Sequence, residues 1–80
     1  MDFKELNVNT IFSMALKNLA ELPSGAVFTL SDLFLGWKWR FFNKSERIVV
    51  GKLFLMWAEA NSDVVEILEK KSQIQYYLKK

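Results

Sequence analysis

Nine of the eleven residues from Ile48 to Ala58 are apolar, interrupted only by Gly51 and Lys52. Ahead of them, Asn43-Lys44-Ser45-Glu46 has the form of a helix start, a side-chain acceptor followed three residues later by an acid. Together they predict a long helix to about Ala60, closed by Asn61-Ser62. Only Ser45, Lys52 and Glu59 form a clear polar stripe on it, so it is expected to be the central, most buried helix. The chain has 80 residues, which favours one domain spanning 1–80, with residues 1–8 as a loose N-terminal arm. A domain of that size buries only roughly 60–65% of its unfolded surface. With 51% hydrophobic and 15% aromatic residues, large rings are the means of filling its core, and intrinsic disorder is not expected.

The remaining elements are shorter. Ile11, Ala15, Leu19 and Leu22 form one helical row and Phe12, Leu16 and Ala20 the next, with Thr10, Ser13, Lys17 and Glu21 opposite. This is an amphipathic helix over about 9–22, with Asn9 as its cap and Pro23-Ser24-Gly25 as its stop. Ala26-Val27-Phe28 reads as a short strand. Thr29 with Asp32 reads as a second capping box opening a short helix that ends near Gly36. From Trp37 to Phe42 aromatic and basic residues alternate with period two, which predicts extended structure or a turn. Val64–Leu68 and Gln73–Leu78 flank a polar turn and predict a β-hairpin, with Ile74, Tyr76 and Leu78 inward and Gln73, Gln75, Tyr77 and Lys79 outward. Gly51, inside the long helix, is expected to pack closely against the first helix. The order helix, short strand, short helix, long helix, C-terminal hairpin is that of an α+β, mainly α, winged helix-turn-helix-like fold, the hairpin being the wing.

The chain has no Cys and no His. That excludes a disulfide scaffold, thiolate metal sites and imidazole chemistry. No Gly-rich phosphate loop, EF-hand or zinc spacing is present either. The expectation is a non-enzymatic module with no cofactor, no metal and no small-molecule substrate. The start, Met1-Asp2-Phe3-Lys4-Glu5, lacks the basic region of a signal peptide. The longest charge-free stretches fall well short of the ~20 residues a transmembrane helix needs. A cytoplasmic protein with no membrane partner is expected.

The net charge of +2 conceals a block pattern. Residues 37–52 carry five bases and one acid, 53–69 four acids and no base, and 70–80 four bases and no acid. The two basic blocks coincide with the start of the long helix and with the hairpin. Lys38, Arg40, Lys44, Ser45, Arg47, Lys52, Lys70 and Lys71 are therefore the candidate nucleic-acid-binding residues. The first turns of such a helix reach base edges and phosphates, and a basic wing holds the backbone; duplex DNA is the partner this implies. The absence of any polar side chain from Leu53 to Ala58 counts against deep insertion into a groove. A different class of function is a protein-interaction module, a homodimer or an inhibitor or adaptor, using Trp37, Trp39, Phe41 and Phe42 as its interface. Against both stands a purely structural role, with these rings plugging the core, the lysines solvated, and Arg47 paired with a nearby acid.

Three spaced motifs carry a family resemblance. Leu22-Pro23-x-Gly25-x-x-Phe28, Asp32-Leu33-Phe34-x-Gly36-x-x-Trp39 and Glu46-Arg47-x-x-x-Gly51-Lys52-x-Phe54 resemble the short proteins classed as domain of unknown function 1413, over roughly residues 22–78. The resemblance implies a small bacterial or phage-borne protein and brings no activity or catalytic residue with it. Val49-Val50 and Leu55-Met56-Trp57 depart from its pattern by making the long helix more apolar.

Overall fold

A computed structural model describes residues 7–34 and 36–80. The first helix, α1, is Val8–Leu19, and Asn7 rather than Asn9 caps it: the Asn7 carboxamide oxygen accepts from Thr10 N–H. The loose arm expected over residues 1–8 therefore cannot extend past residue 6, and the rest of it lies outside the described residues. Leu22 falls beyond the helix end. Strand β1 is Val27–Thr29, followed by a single 3-10 turn over Leu30–Leu33. Asp32 accepts from Thr29 N–H at 2.9 Å, as its spacing predicts, but the turn stops well before Gly36.

Helix α2, Gly36–Phe41, replaces the expected extended segment. Its periodicity sorts the rings differently from a strand. Trp39 and Phe42, three apart, turn inward, where Trp39 stacks on Phe34 at 5.3 Å and Phe42 meets Phe34 edge-on. Trp37 and Phe41, four apart, lie on the exposed side. Helix α3, Lys44–Ala60, starts with the predicted box: Glu46 N–H donates to Asn43 at 2.8 Å and Asn43 N–H to Glu46 at 3.0 Å. Its buried residues are Val50, Phe54 and Ala58, one row of spacing four, packed on the Ile11, Ala15 and Leu19 row of α1. The helix is central yet only partly covered, since Ile48, Val49 and Met56 are exposed. Part of the apolar excess buries the central row, and Leu55 and Trp57 flank it partly buried against the core.

The hairpin is β2, Val65–Lys71, and β3, Ile74–Lys79, in an antiparallel sheet of order β1-β3-β2. Its facing is the reverse of the expected one. Tyr77, predicted outward, lies in register with Phe28 and Ile67 and is buried against Phe28 and Phe54. Ile74, predicted inward, is exposed. Lys79 also turns toward the helices, where its ammonium donates to Leu19 O and Leu22 O at 3.2 and 3.1 Å. It thereby adds a second donor at the C-terminal end of α1, where Leu19 O also accepts from Leu22 N–H. A bulge between Ile67 and Lys70 interrupts β2, and Gln75 Nε2 donates across it to Leu68 O.

The helix-turn-helix arrangement followed by a hairpin wing makes this an α+β, winged-helix-like fold. Its core joins the rings Phe28, Phe34, Phe42, Phe54 and Tyr77 to the aliphatic rows of α1 and α3 and to Val65 of β2. Burial raises the Tyr77 hydroxyl to about 12, with the nearby Glu59 charge adding to the effect.

Candidate functional site

The short β1 strand ends at Thr29 opposite Tyr76, while β3 and β2 run on toward the hairpin tip. Beyond that end, α3 and the hairpin stand apart. Between them lies an open groove of about 730 Å³. Arg47, Ile48, Gly51, Lys52 and Leu55 of α3 form one wall. Lys70, Gln73, Ile74, Gln75 and Tyr76 of the hairpin form the other, with Trp39 and the 3-10 turn closing the end.

Three of the eight predicted basic-site residues, Arg47, Lys52 and Lys70, come together on this groove although two basic blocks supply them. Asp32 is the one acid among the described lining residues, and its carboxylate is engaged by Thr29 N–H. Net positive charge therefore gathers in a groove whose lining also includes the apolar and aromatic Ile48, Leu55, Trp39 and Tyr76. The other candidates lie elsewhere. Lys44 and Ser45 are exposed on the first turn of α3 and Lys71 is exposed opposite Ile74, none of them lining the groove. Arg40 is exposed and its Nε donates to Gly36 O at 3.4 Å. Lys38 sits over the Trp37 ring and lines a separate depression against Met14 and Asn18 of α1 and Glu21 just beyond it.

The predicted aromatic interface is divided by the helical geometry of α2. Phe42 is only 4% exposed and belongs to the core, so it offers nothing to a partner. Trp39 is half-buried on Phe34 and shows its remaining edge to the groove. Trp37 and Phe41 keep the outward position that an interface needs.

Two α3 residues in the groove wall carry more information than their sequence pattern suggested. Arg47 does not pair with an acid among the described residues, and its Nε is buried with no hydrogen-bond partner there. A buried donor left unpaired costs about 1–3 kcal/mol. Gly51 does not pack against α1: a Cβ built on it would meet nothing within 4 Å. Its side faces the open groove, and its cost to the helix has no packing reason. Tyr76, Gln73 and Gln75 were missed because strand alternation assigned them to faces without locating how the hairpin stands against α3.

Among the described residues no cluster of three or more His, Cys, Asp or Glu side chains could hold a metal ion. No helix there is long and apolar enough to cross a membrane.

A family model described as a domain of unknown function (DUF1413) matches residues 13–79. No curated protein sequence matches the chain. Among solved structures, one described as "SCCmec type IV LP1413 - nucleic acids binding protein" is similar over 99% of this chain and 93% of its own, with a TM-score of 0.74 and 20% identity. At that identity the likeness concerns the fold.

Proposed function

The chain belongs to the DUF1413 family, and we propose that it is a small non-enzymatic module that binds nucleic acid through the groove between α3 and the hairpin. The observation that carries this reading is the convergence of Arg47, Lys52 and Lys70, from two separate elements, on one groove whose lining also includes aromatic and apolar side chains. Cations there can hold successive phosphates, and the exposed Lys44 and Lys71 extend the reach of α3 and the hairpin along a backbone. In a winged helix this presents the start of α3 to a duplex groove and the hairpin to the adjoining phosphates. The same fold in a protein described as nucleic-acid-binding lends the reading support.

The test is retention of a random-sequence duplex by micromolar protein at about 50 mM salt, with a single strand of equal length in parallel. Binding should fall steeply as salt rises, because each neutralised phosphate releases counterions. Replacing Lys44, Arg47, Lys70 and Lys71 together should abolish it. No retention of either form at low salt would sink the reading.

A second reading rests on a different surface. Trp37 and Phe41 are 53% and 57% exposed on one side of α2, the spacing of a contact made with a protein partner or a second copy. Light scattering across protein concentration tests it. A concentration-independent monomer in both wild type and Trp37→Ala removes self-association.

A further inference from the structure

The wall of α3 that lines the groove contains two residues for which the fold has no use. Arg47 Nε is buried without a partner among the described residues, and the space a Gly51 side chain would enter is empty. The two are four positions apart, one above the other on a single helix face. Helical side chains lean toward the N-terminus, so the side chain missing at Gly51 is the one that would overhang Arg47. Its absence leaves a notch of open space in the groove wall, one helical turn from Arg47. A glycine inside a helix and an unsatisfied buried donor are each departures from what stability alone favours. Their coincidence in one groove is the pattern expected where a ligand, and not the fold, sets the residue.

We propose that the Arg47–Gly51 notch is an oxyanion subsite that seats one phosphate group. The planar guanidinium presents parallel donors that match two phosphate oxygens. A turn of its terminal torsions brings the Nε edge to the ligand, which supplies the partner that Nε lacks. Gly51 keeps the approach clear, and Lys52 and Lys70 add charge around the groove. Assigning the phosphate to a nucleic-acid backbone rests on the reading above. Free phosphate has the same chemistry, and the measurements separate the two.

The variants are Arg47→Met, which keeps the apolar stem, and Gly51→Leu, which fills the notch with a good helix former. Each is followed by thermal unfolding, by affinity for a random oligonucleotide at low salt, and by the Tm shift that millimolar inorganic phosphate produces. Arg47→Met should leave Tm unchanged or raise it by up to about 8 °C, while weakening oligonucleotide binding at least tenfold. Gly51→Leu should fold at least as stably and lose affinity equally. Binding within twofold of wild type in either variant overturns the notch. So does a fall in Tm for Arg47→Met, which would give the guanidinium a structural partner. If wild type binds no oligonucleotide, a phosphate-induced rise in Tm that Arg47→Met abolishes upholds the notch with free phosphate as its ligand and removes the nucleic-acid reading. Absence of both responses removes both.

Discussion

Replacing Gly51 by alanine should stabilise this protein, although the residue lies in the middle of its central helix. The backbone there is ordinary α-helix, without the positive φ that requires glycine, and the new methyl would meet no atom within 4 Å. No steric penalty opposes the gain in helix propensity. In a helix interior that gain is about 0.8–1 kcal/mol, from the smaller backbone entropy lost on folding. For a domain of this size about 1 kcal/mol moves Tm by roughly 4–8 °C, and total stability is only about 5–15 kcal/mol. The shift is thus well within reach of thermal unfolding followed by circular dichroism. Urea unfolding should give a higher midpoint with an unchanged slope, as expected when only stability changes. An unchanged or lowered Tm would refute the argument, because it would mean that the fold needs the glycine. A stabilised variant with weaker nucleic-acid binding would show that the ligand needs it.

Three further outcomes follow from particular contacts. Asn43→Ala removes the acceptor for Glu46 N–H and should cost about 1 kcal/mol, read from the urea midpoint. Lys79→Met leaves Leu19 O and Leu22 O without their ammonium donor and should lower stability by about 1 kcal/mol, whereas Lys80→Met should change little. Tyr77 is raised in the folded state from 10.0 to about 12. The stability this represents is complete below pH 10 and is lost as pH rises from 10 toward 12, with a slope of up to about 1.4 kcal/mol per unit. Tyr77→Phe should remove that part of the pH dependence, and an identical alkaline profile in the two proteins would contradict the assignment.

The elements that sequence makes plain here are those with a long period or a local chemical signature. The Asn43/Glu46 box names the start of α3, and the Ile11–Ala15–Leu19 row names α1, although its cap is Asn7 and not Asn9 and it ends at Leu19, short of Leu22. The helix α2 was not legible, because six residues barely complete a turn and a half, and rings on both sides suit either a strand or a helix. Its true period decides which rings face outward: Trp37 and Phe41, and not Phe42. The reversed facing of β3 has a different cause. The face that turns inward carries Tyr77 between Gln75 and Lys79, so alternation alone selects the more apolar Ile74, Tyr76 and Leu78 face instead. The deciding contacts are distant ones, with Phe28 and Phe54 receiving Tyr77 while the end of α1 satisfies Lys79. The groove was half visible in the two basic blocks. The Thr29–Asp32 box marks where β1 stops, but the groove also depends on how α3 and the hairpin stand beyond that point, which no local pattern sets. Gly51 and Arg47 were noticed as types, but only the empty space beside one and the unpaired donor of the other set them apart.

The most direct measurement is an amide chemical-shift titration of the labelled protein with a random oligonucleotide at low salt. Binding through the groove predicts the largest changes at Arg47, Ile48, Gly51 and Lys52 on α3 and at Lys70 and Gln75 on the hairpin, all moving with a single affinity. Changes confined to α2 around Trp37 and Phe41, or none at saturating oligonucleotide, would contradict it.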